Sequence, residues 1–176
     1  INFVVGSGSA VGNELVTNPT VKAISFTGST GVGRAIHEKA AQNLTRTQLE
    51  MGGKNPVVVL ADADIEAAAY ATVRAAYACA GQWCTSTSRA IVVESVAEEF
   101  TARVRSLAAE IVVGPGTAED STMGPVCGRR QLEDILGYIA VGVDEGAECA
   151  VGGSQMTGPA HREGCFVEPT VFVSVQ

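Results

Sequence analysis

Positive charge is in short supply: lysine and arginine number 12 against 19 aspartates and glutamates, for a net charge of -7. With no basic stripe, the chain is a poor match for nucleic acid or an anionic membrane surface, and a small organic substrate fits better. No apolar run reaches the roughly 18 uninterrupted residues of a membrane helix. The opening stretch, INFVVGSGSAVG, lacks the basic flank of a signal peptide, so a cytoplasmic location is expected. Histidine occurs only twice, and the five cysteines contain no Cys-x-x-Cys pair. That pattern suits neither a disulfide framework nor a zinc site, and implies reduced thiols without a metal. No low-complexity linker interrupts the 176 residues, and a hydrophobic content of 46% is enough to bury one sizeable core.

What is present alternates between strand and helix patterns. Asn2–Val5 reads as a strand, Gly6–Gly12 as a turn, and Asn13–Thr17 as a short helix closed near Pro19. Lys22–Phe26 is a second strand, Thr27–Gly33 a tight turn, and Val32–Gln42 a helix. Arg46–Met51 and Pro56–Ala61 are short strands separated by Gly52 and Gly53, with Asp62 a plausible cap for the helix that follows. That helix, Asp64–Cys79, is apolar on nearly every face and reads as buried. Arg89–Val93 is β-branched and strand-like, and Ser95 with Glu98 spells a capping box for a helix to about Ile111. Gly114–Gly128 is irregular, Arg129–Glu145 is helical up to Gly146, and Phe166–Val173 is a final strand. The alternation predicts an α/β architecture with mostly parallel sheets.

Chemistry concentrates in three strings. In GQWCTSTSR, Gly81 ends the apolar helix and Cys84 follows on a turn, between a bulky ring and a run of hydroxyls. A lone cysteine is usually a small buried apolar residue, but these neighbours place it like a reactive thiol. In FTGSTGVG, Gly28, Ser29, Thr30 and Gly33 follow a strand and open a helix, the context of an anion or dinucleotide site, without the usual G-x-G-x-x-G spacing. In LEMGGKNP, Glu50 ends a strand just before two glycines, a position open to a general base and equally to a solvated glutamate. Asp62, Asp64, Glu98 and Glu99 lie at helix starts, where the dipole accounts for them. His37 is mid-helix and His161 lies in a polar loop, neither with a visible catalytic partner.

Taken in order, FTGSTGVG, LEMGGKNP and GQWCTSTSR resemble the aldehyde dehydrogenase superfamily, and MGP, LGYI and FVEPTVF (residues 166–172) extend the resemblance over nearly the whole chain. The resemblance implies NAD(P)-dependent oxidation of an aldehyde to a carboxylic acid, with Cys84 as nucleophile and Glu50 as general base. It places Thr27, Gly28, Ser29 and Gly33 with Met51 and Gly52 on the NAD or NADP side, and Trp83 and Thr85 beside the substrate. It implies a Rossmann-like parallel-sheet end of the cofactor domain over residues 1–51, and the first part of an α/β catalytic domain over 52–176. The TSTSR run is similar to the branch that oxidises 2-oxoglutarate semialdehyde, and a complete enzyme of this kind is expected to be a homo-oligomer.

Three elements of the resembled pattern have no counterpart here: the asparagine completing an oxyanion hole, a lysine near the adenosine ribose, and an EIFGP segment. The chain therefore reads as an internal fragment, and a catalytically silent fragment or scaffold is the competing reading. Loss of one oxyanion donor commonly costs about 10²- to 10³-fold in rate. Expressed alone, residues 1–176 are expected to aggregate and to show no aldehyde-dependent cofactor reduction across a panel of aldehydes. A soluble monomer turning over like a complete enzyme would overturn the fragment reading.

Overall fold

A computed structural model describes residues 1–175. The backbone divides into two compact units, the first Ile1–Gly53 and the second beginning at Lys54. In the first unit the strand expected at Asn2–Val5 does not form. Nothing among the described residues offers it a ladder, and Phe3 and Val5 stay exposed. Within the expected Gly6–Gly12 turn, Gly8–Gly12 is helical. Ser7 Oγ accepts a hydrogen bond from Ala10 N, and a π-helical stretch, Gly8–Gly12, runs into α1, Asn13–Thr17.

The unit is built on two parallel strands, β1 (Ala23–Gly28) and β2 (Arg46–Met51), with Ala23 opposite Arg46 and Gly28 opposite Met51. The connecting helix α2, Thr30–Ala41, starts two residues before the expected Val32. Ser29 causes the difference, because its Oγ accepts from Val32 N and caps the first turn. The expected Thr27–Gly33 turn shrinks to Ser29 alone. Alternation along the strands turns Ile24, Phe26, Leu49 and Met51 away from solvent. A Cβ on Gly33 would come within 2.6 Å of Met51 Sδ, so glycine lets α2 settle on that side chain.

In the second unit β3 (Asn55–Val59) and β4 (Thr87–Val92) are also parallel. Helices α3 (Ile65–Tyr77) and α4 (Glu94–Ala109) pack with this pair around Val59, Ala69, Val73, Phe100 and Val104. The helix expected to be buried all round proves one-sided: its buried residues are Ala69, Thr72 and Val73, and Tyr70 is exposed. Its cap is Asp64, which accepts from Ala67 N at 3.0 Å, and Asp62 lies too far upstream to serve. It also ends at Tyr77, short of Cys79. The capping box at Ser95 and Glu98 is absent as well. Val93 N donates to Val59 O, which carries strand pairing one residue further and puts Ser95 inside a helix begun at Glu94.

The stretch 114–128 is irregular as expected, pinned by a bridge between Val113 and Met123, both buried against Phe166. Helix α5, Arg129–Asp144, follows Gly128. The expected final strand is broken in two. β5 (Glu148–Val151) pairs antiparallel with β8 (Val171–Val173), and β6 (Gln155–Met156) with β7 (Phe166–Val167). Pro169 falls in the gap between β7 and β8, and Thr170 Oγ1 both accepts from Gly153 N and donates to Glu168 O. The fold is thus α/β, with helices flanking the parallel pairs β1–β2 and β3–β4 and an antiparallel tail. All five cysteines are free, and no helix among the described residues is long and apolar enough to cross a membrane.

The junction of α3 with the tail is polar at one point: Tyr77 Oη donates to Thr170 O at 2.8 Å. Burial, with a smaller contribution from Cys149, pushes this hydroxyl up to about 12. The folded protein therefore keeps the proton to higher pH than an unfolded chain, whose tyrosines titrate near pH ~10. That contribution is full below about pH 10 and is lost as pH rises through about 12. Urea unfolding across this range should show stability falling with pH, and Tyr77→Phe should flatten the fall.

Candidate active site

Beyond Tyr77 the chain cannot continue as a helix, because Cys79, Ala80 and Gly81 all take left-handed backbone angles, with φ of 50°, 55° and 72°. Glycine adopts that region freely, whereas cysteine and alanine are each strained by about 1–2 kcal/mol. Such a path persists only where neighbours hold it. Gln82 does so with both ends of its amide: Nε2 donates to Cys79 O at 2.9 Å, and Oε1 accepts from Cys127 N at 2.8 Å.

The next four residues, Trp83 to Ser86, form a turn closed twice. Ser86 N donates to Trp83 O at 3.1 Å, and Trp83 N donates to the buried Ser86 hydroxyl at 3.2 Å. From across the sheet, Asn55 Nδ2 donates to Cys84 O at 2.7 Å and to Ser86 O at 3.1 Å. The turn carries Trp83, Cys84 and Thr85 together, all exposed. Sequence reasoning missed Asn55, Gln82 and Ser86. A local signal existed for Ser86, a hydroxyl three residues after Trp83, but the partners of Asn55 lie some thirty positions away.

The remaining predicted residues belong to the first unit. β1 and β2 end side by side, with Thr27 opposite Glu50 and Gly28 opposite Met51, and Gly52 follows directly. Glu50 is exposed on the strand face opposite Met51. Its Oε1 accepts from Gln48 Nε2 at 2.7 Å, and Gln48 Oε1 accepts from Ser25 Oγ at 2.6 Å. This polar row was also missed, although its every-second-residue spacing is visible in β2. Gly33 lies one turn into α2, against Met51, and does not share the strand-end edge. His37 Nδ1 bonds Thr47 Oγ1, and His161 Nε2 bonds Val113 O in the second unit.

At the N-terminus of α2 the amides of Thr30 and Gly31 precede the one that Ser29 caps, and a Cβ on Gly31 would meet nothing within 4 Å. A strand end, a serine cap and open space beside the first helical amides fit the phosphate portion of a dinucleotide. No group of three or more metal-ligating side chains gathers among the described residues. A 580 Å³ groove between α3, α4, β4 and β8 is lined by Tyr77, Arg89, Phe100 and Thr170, and Cys84 is not part of it.

Comparison with known proteins places this arrangement in context. The chain is 42% identical over 175 residues to the alpha-ketoglutaric semialdehyde dehydrogenase of Bacillus subtilis, covering 99% of this chain and 36% of that protein. It is likewise 42% identical over 175 residues to the alpha-ketoglutarate semialdehyde dehydrogenase of Haloferax volcanii, with coverage of 99% and 36%. Its fold superimposes with a TM-score of 0.93 on a double mutant of betaine aldehyde dehydrogenase from Staphylococcus aureus, in complex with NAD+ and bearing a BME-modified cysteine. That structure is 36% identical, and the match covers 98% of this chain and 35% of that one. The chain thus spans about a third of the length of the curated relatives it matches, at 36% of each. The sequence model of the aldehyde dehydrogenase family matches residues 1–176, and the chain belongs to that family.

Proposed function

We propose that this chain supplies the nucleophile and general base of an NAD(P)-dependent oxidation of aldehydes to carboxylic acids, within a longer enzyme. The observation that carries the reading is the presentation of Cys84, an exposed thiol on a turn fastened by Ser86 and Asn55. A packing cysteine needs no such fastening. Support also comes from the likeness to an aldehyde dehydrogenase structure that contains a modified cysteine and NAD+. In this reading residues 1–51 end the cofactor domain and 52–176 begin the catalytic one.

The residues that would hold the cofactor are Thr27, Gly28 and Ser29 with the first amides of α2, beside the backbones of Met51 and Gly52, while Gly33 lets the helix approach. Cys84 Sγ, as thiolate, adds to the aldehyde carbon, and the carbonyl electron pair moves to oxygen. The Cys84 backbone amide is one donor for that oxyanion. The cofactor, when bound, supplies the acceptor for the hydride lost from this carbon. A thioester is left on Cys84. Glu50 takes a proton from water as the water attacks the acyl carbon, the C–S bond breaks, and the acid leaves with the thiolate regenerated. Trp83 and Thr85 flank the substrate. The two semialdehyde dehydrogenases at 42% identity favour 2-oxoglutarate semialdehyde as that substrate.

Iodoacetamide at neutral pH should label Cys84 of the full-length enzyme ahead of Cys79, Cys127, Cys149 and Cys165. Cys79 and Cys127 are exposed too, so exposure alone would not produce the preference. Preferential labelling of either would contradict the assignment. In the same enzyme, Glu50→Gln should preserve a first burst of reduced cofactor while steady turnover falls by about 10²- to 10⁴-fold. Loss of the burst would instead make Glu50 the base that activates Cys84.

A further inference from the structure

The side chain of Asn55 takes no part in the steps above, yet it makes two long-range polar contacts to the Cys84 turn, across 29 and 31 residues of sequence. We propose that Asn55 is a positioning residue for the Cys84 thiol, holding the turn in the geometry from which the sulfur attacks. The proposal rests on the reading of Cys84 as nucleophile.

The arrangement begins in the sheet. Asn55 pairs with Thr87 but Pro56 pairs with Arg89, so β4 carries one extra residue, Ser88, at this point. Proline has no N–H for the ladder, and a bulge redirects the side chains around it. Ser88 Oγ donates to Asn55 O at 3.4 Å. The Asn55 amide reaches beyond β4 to the turn before it, where one nitrogen serves Cys84 O at 2.7 Å and Ser86 O at 3.1 Å. An NH₂ group has two donors and both are spent. Only this orientation of the amide works, since Oδ1 in the same place would face two carbonyl oxygens.

The consequence for the thiol is geometric. Two carbonyl dipoles converging on one point repel unless a donor lies between them. With Asn55 there, the peptide plane after Cys84 is fixed from one side, while the Ser86–Trp83 bonds fix the turn from the other. What remains free at Cys84 is rotation about its own Cα–Cβ bond. A misplacement of about 1 Å can cost about 10²-fold in rate, so a pinned Cα matters for attack on a carbonyl carbon. An ordinary structural asparagine would stabilise the bulge without affecting the reactivity of the sulfur.

The test uses the full-length enzyme, with Asn55→Ala, the size-matched Asn55→Asp, and Cys84→Ala. The readouts are the rate of Cys84 alkylation by iodoacetamide without cofactor as a function of pH, the rate of the first burst, and the unfolding midpoint. Asn55→Ala should slow the burst by about 10- to 100-fold and alkylation by a smaller factor, with more than nine-tenths of the protein still folded. In Asn55→Asp the ionised carboxylate cannot donate. Its alkylation rate relative to the parent enzyme should therefore recover as pH falls through the carboxylate range, where the neutral acid restores one bond. Burst and alkylation rates within twofold of the parent in Asn55→Asp, or losses that only track the unfolded fraction, would overturn the proposal. Undiminished turnover in Cys84→Ala would overturn the nucleophile reading itself, a separate result.

Discussion

The turn from Trp83 to Ser86 depends on hydrogen bonds that its own sequence cannot supply. Its approach is strained, with Cys79 and Ala80 held left-handed, and its exit carries two carbonyls aimed at one point. Side-chain amides from either side resolve both problems, Gln82 tying the approach to Cys79 and Cys127, and Asn55 satisfying the exit. The core of Val59, Ala69, Val73, Phe100 and Val104 keeps β3, β4 and α3 in fixed relation. That relation decides where Asn55 and the turn meet. Packing and site are in this sense one arrangement, since a shift of β3 against β4 would withdraw the donor from Cys84.

The first unit follows a simpler rule. Two parallel strands end together, the helix between them begins after one residue, and the edge carries Thr27, Gly28 and Ser29 with Glu50 and Met51. The charge at that edge is that of Glu50, on the face away from α2, in a row with Gln48 and Ser25. Glu66, by contrast, is locked to Arg103, and that hydrogen bond lowers its pKa, so it holds a proton less readily.

Where a signal was local, the sequence carried it. The β1, α2 and β2 pattern, the glycine after α3 and the cysteine turn were legible because turn residues and periodicity act over a few positions. The Ser29 cap, the Ser86 hydroxyl and the Gln48–Glu50 row were local too and went unread; the other errors arose where the outcome depends on a distant partner. Asn2–Val5 has the composition of a strand but no neighbouring strand among the described residues. Asp62 was the expected cap of α3, but the path of the chain out of β3 brings Asp64 instead to the first helical amides, where it accepts from Ala67 N. β5 and β6 were invisible because their pairing with β8 and β7 is long-range and their segments are short. Asn55 is the most instructive omission. Its string was recognised, but its role appears only when a bulge and a proline carry its amide to a turn far along the chain.

Every step proposed for the site requires that Cys84 form the covalent bond to substrate. That requirement is tested most directly by mixing the full-length enzyme with aldehyde and oxidised cofactor, quenching in acid within the first turnover, and mapping the acyl group by peptide mass spectrometry. The acyl mass should appear on the peptide containing Cys84. An acyl group on another cysteine, or turnover with no acylated peptide at all, would contradict it.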